Sequence, residues 1–426
     1  MENSTIAIII LAIAVVSFVM EKIPLAVTAM AAAVAMGIFK VMPFAAVSAG
    51  FAATVTMMVA GMMIVGDALF ETGVARVLGV KIGQSRLAQN ERVFTFIIVA
   101  IVCALTGFLS NSAVIAMFMP IISAVGSRSG GKISAKNITM LAGMAAAVGA
   151  SITMVGSTAQ LITQGILTKT AGARAIGFFE MAPITIFLCV VFCVYSATIG
   201  LNIARKSFDF AEPQMPGADK NALDEQVKFT WRMWLSSIVM LLCITGFVLN
   251  VWNVGIIGLT GATVLMATKC IDYKKAIRNL DWNTLIILGA AQGFATGLDV
   301  SGGGRVIANF VLELFGGASA QPYVLLLVAI IISCALTNFM SNTAVAAMLV
   351  PIFLPIAFAL NVSPVIFAIA ITITANNAIS TPIGTPAVTQ TLPMGYRYMD
   401  YVKVGLPINI ILLILTCVFM PVFYSW

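Results

Sequence analysis

The sequence of 426 residues contains no histidine. Imidazole ligands and imidazole bases are therefore excluded, and with them most hydrolytic triads and many metal sites. Charged residues are also scarce, at 9% of the chain, whereas a soluble domain carries roughly 25%. Because 61% of the residues are hydrophobic and the mean hydropathy is +1.06, the composition predicts an all-α polytopic membrane protein.

The cysteines also lack the spacing of paired or metal-binding cysteines, and the basic residues lie in short loops. The seven cysteines lie in apolar segments without CxxC spacing, so we interpret them as small hydrophobic residues and not as a disulfide framework or metal site. The net charge of +7 is spread over short loops, which indicates membrane topology and no nucleic-acid partner. The first apolar run, from Ile6, has no basic segment before it and no small-residue cleavage site, so we expect it to be retained as a helix.

Charge is absent altogether from residues 93–127, 137–168 and 314–396. These segments nevertheless hold the densest clusters of Ser, Thr and Asn in the apolar part of the chain. A helix that ends inside a membrane leaves backbone N–H and C=O groups without partners, at a high cost in free energy. The polar clusters therefore indicate that helices end within these apolar segments.

Two of the clusters belong to an internal repeat. Residues 103–121 read CALTGFLSNSAVIAMFMPI, and residues 334–352 read CALTNFMSNTAVAAMLVPI. The two stretches align without a gap and agree at 13 of 19 positions. Each copy places a polar triplet, Ser110–Asn111–Ser112 or Ser341–Asn342–Thr343, between two apolar runs. The duplication predicts two related hairpins whose tips are the triplets.

The rest of the chain follows the same duplication. Each half has three apolar spans, a triplet hairpin, a broken span and a closing span, so we predict five transmembrane helices plus one re-entrant hairpin per half. An odd number of crossings inverts the second half relative to the first. The predicted units are residues 1–202 for the first repeat (hairpin about 92–126), 203–229 for a hydrophilic linker, and 230–426 for the second repeat (hairpin about 320–360).

The distribution of basic residues predicts the orientation. Most Lys and Arg residues fall on the side of the linker, and the opposite side collects only Lys40, Lys169, Arg174 and Arg305. Cytoplasmic loops carry the excess of positive charge in membrane proteins. We therefore expect a multi-pass protein of a bacterial-type cytoplasmic membrane, with the linker in the cytoplasm and both termini outside.

The polar triplets have two possible roles. They could serve only as N-caps of hairpin helices at 113–126 and 344–360, because Ser, Thr and Asn cap exposed helix ends. Each triplet is, however, followed about 40 residues later by a second break, GST at 156–158 and TPIGTP at 381–386. Four such breaks would bring half-helix ends together, where carbonyl and hydroxyl oxygens bind cations and N–H groups bind anions. Because the tips lack basic residues, a dianion would need co-bound cations, although a neutral substrate would explain the same absence.

These motifs resemble one known family. The paired triplets, the breaks GST and STPIGTP, and the tail GYRYMDYVKVGLP at 395–407 are similar to those of the divalent anion:sodium symporters, a solute carrier 13-like branch of the ion transporter superfamily. The resemblance covers nearly the whole chain. It implies a homodimer in which each chain has a scaffold domain and a mobile transport domain that works by an elevator mechanism. It also implies two sodium sites, one at each hairpin tip, with the dicarboxylate between them.

Carried over motif by motif, the resemblance also implies the ligands. The first sodium site would use Thr106, Ser110, Asn111 and the backbone near Gly156. The second would use Thr337, Met340 (backbone), Asn342 and Gly384 (backbone). The substrate would contact Asn111, Ser112, Ser157, Ser341, Asn342, Thr343, Thr385 and Pro386.

The sequence departs from the family pattern at four places. The first triplet ends in Ser112, where the family often has Thr. The usual Pro-Pro-Asn after the first break is replaced by Thr158–Ala159–Gln160, and the second break continues as Pro386–Ala387–Val388. We expect no counterpart of an extra N-terminal helix that is common in the family, so the prediction is ten full spans and two hairpins. The departures within the breaks leave the identity of the anion open.

The function that we expect is sodium-coupled symport of a di- or tricarboxylate, with a C4 acid such as succinate, malate or fumarate as the first candidate. A sodium-independent dicarboxylate exchanger and a transporter of an inorganic anion such as sulfate are the alternatives. Na⁺/H⁺ exchange is disfavoured, because the tips hold no carboxylate. We expect no enzyme, since no acid–base pair can be assembled at the breaks. Sodium ions would be co-transported and no organic cofactor is expected; the partners are the anion, the lipid bilayer and a second copy of the chain.

Overall fold

The computed structural model describes residues 2–20, 22–74, 77, 90–211, 229–249, 251–314 and 321–424. Every regular element within these ranges is a helix, and none of the described residues forms a strand. In apolar surroundings a helix satisfies its own backbone N–H and C=O groups, which is why uninterrupted apolar runs fold this way. The predicted all-α membrane fold is confirmed.

The first half contains ten α-helices within the described residues. They are α1 (Asn3–Met20), α2 (Leu25–Ile38), α3 (Phe44–Ala49), α4 (Thr54–Thr72), α5 (Glu91–Thr106), α6 (Asn111–Arg128), α7 (Ala135–Gly149), α8 (Thr158–Leu167), α9 (Ala182–Tyr195) and α10 (Leu201–Ser207). A short 3₁₀ turn, Ala150–Ile152, follows α7, and a π-helical turn, Ser196–Gly200, joins α9 to α10.

The second half repeats the pattern. Its helices are α11 (Trp231–Leu249), α12 (Val254–Ala267), α13 (Tyr273–Asn279), α14 (Trp282–Val300), α15 (Gly303–Leu314), α16 (Pro322–Thr337), α17 (Asn342–Ala359), α18 (Pro364–Asn376), α19 (Pro386–Thr389) and α20 (Tyr398–Phe423). The gapless alignment of the two repeats pairs both ends of α5 with those of α16, and both ends of α6 with those of α17. The register found in the sequence therefore holds for the whole of both hairpins.

Not every apolar helix is long enough to cross a bilayer by itself. Within the described ranges seven helical segments are long and apolar enough, and the α14–α15 pair, bent by 73°, makes an eighth if it counts as one span. The helices α2, α12, α16 and α18 are apolar but shorter. One of the seven is α17, which the sequence analysis assigns to a hairpin; its first turn nevertheless lies at the hairpin tip. The number of ten crossings stays a prediction.

Glycines bring helices of the two halves into direct contact. Helix α4 packs against α12, and its counterpart α14 packs against α2. A Cβ atom on Gly61 of α4 would overlap the backbone of Gly258 in α12, so only glycine allows this separation. The side chain of Gln292 in α14 also donates to Thr56 Oγ1, at 3.2 Å. The two halves thus form one packed body and not two separate domains.

The two hairpins enter from opposite ends of the molecule. Helix α20 has 26 residues and is about 39 Å long at 1.5 Å per residue, so its ends mark opposite faces. Just before α20, the Tyr396 hydroxyl bonds to the carbonyl of Lys136, at the outer end of the first hairpin. Beyond α20, Tyr424 lines a cavity with Ser363, at the outer end of the second hairpin. This arrangement is what the predicted inversion of the repeats requires.

Some sequence predictions fall outside the described residues. The basic residues Arg76, Lys81 and Arg86 and most of the predicted linker are among them. The basic residues at the start of the linker are described. Arg205 forms an ion pair with Glu91, and the Lys136 ammonium donates to the carbonyls of Phe208 and Phe210. The domain boundaries and the orientation in the membrane therefore stay predictions.

Candidate functional site

Each hairpin tip begins a helix with a serine cap. Ser110 and Ser341 are the N-cap residues of α6 and α17, and their carbonyls accept the first intrahelical bonds, at 3.0 and 3.1 Å. The helices therefore begin at Asn111 and Asn342, two residues earlier than the sequence predicts, because the asparagines already have helical backbone. Only Ser341 also uses its side chain as a cap, accepting from the Ala344 N–H at 3.2 Å.

The breaks approach the tips through glycine. A Cβ atom on Gly156 would overlap the carbonyl oxygens of Thr106 and Ala150, and one on Gly384 would overlap the carbonyl oxygen of Thr337. Thr106 and Thr337 are the last residues of α5 and α16, so each break lies against the end of the hairpin helix before it. The absence of a side chain at these two glycines permits that approach.

Both tips and both breaks open into one cavity of about 270 Å³. This is close to the lower end of the range of about 300–1,000 Å³ that is common for ligand cavities. The predicted site residues that line it are Ser110, Asn111, Ser112, Gly156, Ser157, Ser341, Asn342, Thr343, Gly384 and Pro386. The four predicted discontinuities thus converge on a single place.

In the first tip, one polar atom lacks a partner. The side-chain oxygen of Asn111 is buried and accepts no hydrogen bond. Thr106, one turn before the tip, is fully buried, and its hydroxyl donates to the carbonyls of Val102 and Cys103, at 2.9 and 3.2 Å. A buried amide oxygen without a protein donor keeps its lone pairs for another partner. A cation is such a partner.

In the second tip, oxygen atoms crowd around Asn342. Its side-chain oxygen lies 3.1 Å from Thr337 Oγ1, 3.0 Å from the Ala375 carbonyl oxygen and 2.8 Å from the Gly384 carbonyl oxygen. Its amide nitrogen donates to Asn376 Oδ1 and Thr385 Oγ1, both at 3.3 Å. Two carbonyl oxygens cannot donate to a third oxygen, so this cluster suits either a cation or a rotated amide.

A buried asparagine that the sequence analysis missed connects the second tip to the first break. Asn376, the last residue of α18, has 0% exposure. Its oxygen accepts from the Ser157 hydroxyl at 2.8 Å, and its amide donates to Ser151 Oγ at 2.8 Å and Gln160 Oε1 at 3.2 Å. The available signal was a pair of asparagines at 376–377 inside an uncharged apolar run.

Other predicted residues lie outside the cavity wall. Thr106, Thr337 and Thr385 are fully buried behind it, and Thr385 contacts the site through Asn342. Met340 is buried, and its backbone N–H bonds to the Leu336 carbonyl at 3.0 Å. This bond belongs to the end of α16 and does not involve the other predicted sodium ligands. The Ser157 hydroxyl is engaged by Asn376 and has to rotate before it can donate to an anion.

The opposite wall of the cavity carries two carboxylates that the sequence analysis did not assign. Asp67 of α4 lines it, together with Asn279 and Asp281, which precede α14. Asp67 bonds to the side chain of Asn279. Asp281 accepts from the Thr284 N–H at 3.2 Å, as the N-cap of α14. No Lys or Arg lines the cavity among the residues that the structure describes, so this part of the wall favours cations.

Comparison with known proteins identifies the family. The model of the citrate transporter family matches residues 15–352, which is more than half of the chain. The transporter YfbS of Escherichia coli is 31% identical over 159 residues, 37% of this chain and 26% of YfbS. The sodium-dependent dicarboxylate transporter SdcS of Staphylococcus saprophyticus is 36% identical over 121 residues, 28% of this chain and 22% of SdcS. Human solute carrier family 13 member 4 is 29% identical over 149 residues, 35% of this chain and 24% of that protein. The matches with these relatives thus span about a quarter of their length.

Solved structures agree on the fold. The YdaH transporter of Alcanivorax borkumensis has a TM-score of 0.63 at 15% identity, with 89% of this chain and 87% of that chain covered. MtrF of Neisseria gonorrhoeae has a TM-score of 0.65 at 14% identity, with 99% and 94% covered. At such identities the likeness concerns the fold alone. The resemblance to the divalent anion symporters, stated from the motifs, is confirmed at the level of the family.

Proposed function

Since this chain belongs to the citrate transporter family, we propose that it couples the movement of sodium ions to the symport of a di- or tricarboxylate. The chain is a multi-pass integral membrane protein and a secondary transporter by its family. The observation that carries the finer proposal is the shared cavity, whose tips offer cation-binding oxygens beside helix N-termini.

The proposed cations are bound where oxygens converge. The first sodium ion takes Asn111, whose buried oxygen has no donor, with Thr106, Ser110 and the backbone near Gly156. Unwound backbone carbonyls at the ends of half-helices are the usual sodium ligands in transporters with broken helices. The buried, unpartnered oxygen of Asn111 supports this assignment.

The second sodium ion takes the oxygen cluster around Asn342. The oxygens of Thr337, Ala375 and Gly384 lie 2.8–3.1 Å from its amide oxygen, so one cation could contact all of them, whereas without a cation a rotated amide would donate to them. We add the carbonyl oxygen of Ala375 to the ligands that the sequence analysis proposed for this sodium ion. The Met340 backbone remains part of the proposal from family resemblance alone.

The proposed anion lies between the two cations. Helices α6, α8 and α17 begin at the cavity, so their free N–H groups and positive dipole ends face it. The proposed contacts are completed by the hydroxyls and amides of Asn111, Ser112, Ser157, Ser341, Asn342 and Thr343 and by the ring of Pro386, while Thr385, also predicted from the family, lies behind the wall and acts through Asn342. Two sodium charges would offset the charge of a dicarboxylate, and the carboxylates of Asp67 and Asp281 on the cavity wall add further negative charge that favours the cations. Because SdcS is named a sodium-dependent dicarboxylate transporter, we propose a C4-dicarboxylate first.

The remaining elements of the proposal concern assembly and motion. We propose a homodimer in a bacterial-type inner membrane, with residues 203–229 in the cytoplasm and both termini outside. In the proposed elevator motion, the hairpins and broken helices move as a transport domain against a scaffold that contains α2, α4, α12 and α14. The glycine-mediated contacts between these four helices support a rigid scaffold.

The test is uptake of labelled succinate into proteoliposomes. The expected result is accumulation driven by an inward sodium gradient and abolished when potassium replaces sodium. A competition panel with malate, fumarate, citrate and sulfate then identifies the anion. Succinate uptake that is indifferent to sodium would overturn the symport proposal, and uptake of labelled sulfate without any uptake of labelled succinate would overturn the dicarboxylate.

A further inference from the structure

The side chain of Asn376 lies between the two proposed sodium sites and belongs to neither ligand set. Its four hydrogen-bond partners come from both halves of the chain: Ser151, Ser157 and Gln160 from the first, and Asn342 from the second. Asn376, Gln160 and Ser151 are almost completely buried, so water does not compete for these bonds. The network therefore joins the second tip to the first break inside the protein.

The direction of the Gln160 amide is determined by the backbone around it. The nitrogen Nε2 of Gln160 donates to the carbonyl oxygens of Ala150 and Thr153, at 2.6 and 3.0 Å. Carbonyl oxygens only accept, so this end of the side chain has to be the NH₂ group. The other end, Oε1, therefore faces Asn376 and accepts from its amide nitrogen at 3.2 Å.

The same logic determines the orientation of Asn342. With its nitrogen directed at Gln160, Asn376 turns its oxygen toward Ser157 and Asn342. That oxygen only accepts, so it favours the orientation in which Asn342 presents its nitrogen, at 3.3 Å. The oxygen of Asn342 is thereby held against the carbonyl oxygens of Ala375 and Gly384. Rotating Asn342 by itself would direct its nitrogen at those carbonyl oxygens and place its oxygen 3.3 Å from the oxygen of Asn376. Asn376 therefore opposes the rotation, and a cation bound to the carbonyl oxygens would remove the gain from it.

Gln160, Asn376 and Asn342 form a hydrogen-bonded relay. A reversal of this whole relay is also unfavourable. If Asn342, Asn376 and Gln160 all rotated, the oxygen of Gln160 would face the carbonyls of Ala150 and Thr153. The Ala150 carbonyl lies against Gly156, in the proposed first sodium site. The cost of rotating Asn342 would thus appear at the other site, as a repulsion between acceptors that only a cation or another donor relieves.

We propose that Asn376 is a positioning residue: with Gln160 it holds the Asn342 oxygen toward the second sodium site and couples the two sodium sites to each other. This inference rests on the proposed function. Asn376 acts through Asn342 and Ser157 and does not itself contact the ions. A change of the relay should alter how sodium binding at one site depends on the other.

The experiment measures the sodium dependence of succinate uptake for the wild type, Asn376→Ala and Gln160→Leu. We expect the half-saturating sodium concentration to rise about tenfold in Asn376→Ala and about threefold in Gln160→Leu, from the loss of buried amide bonds. We also expect the Hill coefficient for sodium to fall toward 1 in both variants. In the double variant the effects should be less than additive, because both residues act in one relay.

The matched control is Asn409→Ala. Asn409 is a buried asparagine of 3% exposure whose amide donates to Ser380 Oγ at 2.8 Å and to Asn338 at 3.4 Å, both in the second half of the chain. Its loss should lower thermal stability without changing the Hill coefficient. A sodium-induced shift in melting temperature, measured without succinate, gives a second readout that does not depend on transport.

The outcomes separate the two proposals. Sodium-independent uptake in the wild type would overturn the proposed function itself. A cooperative wild type together with unchanged sodium affinity and Hill coefficient in folded Asn376→Ala would overturn only the relay. If Asn376→Ala does not fold, Gln160→Leu decides, since it changes the relay from its other end and leaves the Asn376 bonds to Ser157 and Asn342 in place. A Hill coefficient that falls equally in Asn409→Ala would also count against the relay.

Discussion

The first tip, Ser110–Ser112, contains a buried amide oxygen that no donor reaches, whereas the asparagine of the second tip, Ser341–Thr343, is bonded at both ends of its amide. The serine of the second tip also caps its helix through its side chain, which the serine of the first does not. The two tips are nearly identical in sequence. Their difference therefore comes from the residues that surround them.

The surroundings differ because the relay of Gln160, Asn376 and Asn342 contacts the second tip and has no counterpart at the first tip. An alignment of the two breaks that pairs Gly156 with Gly384, shifted by three residues from the alignment of the hairpins, pairs Val148 with Asn376. The first tip thus has an apolar residue where the second tip has its amide partner. A repeat can keep the same residues at both tips while only one of them is held by a fixed hydrogen-bond network. Of the two proposed sodium sites, the second is therefore the pre-organised one.

The largest predicted effect comes from replacing Asn111 or Asn342, the asparagines of the two tips. We expect Asn111→Ala and Asn342→Ala each to lower sodium-driven succinate uptake at least about 100-fold, because each deletes a proposed ligand of both a cation and the anion. Uptake into proteoliposomes at equal protein density measures it. Asn253→Ala is the matched control, since Asn253 caps α12 far from the cavity, accepting from the Gly255 N–H at 2.9 Å. Near-normal uptake in either tip variant would mean that its triplet is only a cap.

The next effect tests whether both breaks need glycine. In Gly156→Ala and Gly384→Ala the new Cβ overlaps backbone carbonyl oxygens, so we expect sodium affinity to fall about tenfold or more. Gly66→Ala is the control in the same cavity, since its Cβ would meet only Leu109, at 3.7 Å. Its half-saturating sodium concentration should stay within about twofold of the wild type. Equal behaviour of all three variants would contradict close approach at the breaks.

The free energy of unfolding, measured without sodium, should change differently when the asparagine of the first or of the second tip is replaced. Asn342→Ala removes bonds to Asn376 and Thr385, so we expect a loss of about 1–3 kcal/mol in the free energy of unfolding. Asn111→Ala removes an oxygen without a partner, and we expect a change within about 0.5 kcal/mol. Thermal unfolding of the purified variants in detergent measures both values. Equal destabilisation would show that the amide of the first tip is bonded as firmly as that of the second.

Much of the fold could be predicted from the sequence because duplication and apolar run length are visible in it. The gapless repeat located both hairpins, and the glycine breaks located the broken helices. The helix starts were missed by two residues, since the asparagines Asn111 and Asn342 are both helical and polar. Lengths alone did not predict that α17 would be long enough to cross a bilayer.

Two of the site residues that the sequence analysis missed are present in only one half of the chain. Asn376 and Gln160 have no polar counterpart in the other half, where Val148 and Val388 stand at the positions that the alignment of the breaks pairs with them. A search for repeated residues therefore passes over them. Asp67 and Asp281 were missed for another reason, because the sequence does not show that α4 and the start of α14 face the tips. Only packing places those carboxylates on the cavity wall.

The smallest predicted effect concerns the third residue of each triplet. Ser112 lines the cavity, and Thr343 lines it with its hydroxyl 2.5 Å from that of Thr158. We expect Ser112→Thr to shift the preference toward smaller anions by up to about tenfold, because one added methyl group in a ligand pocket has an effect of this order. The maximal rate should change by less than about twofold, since the hydroxyl is kept. The reciprocal Thr343→Ser keeps the bond to Thr158 and should move the competition profile less. A profile of succinate, citrate and sulfate that is the same in Ser112→Thr and the wild type would place the anion away from the first tip, and selectivity would then belong to the second tip alone.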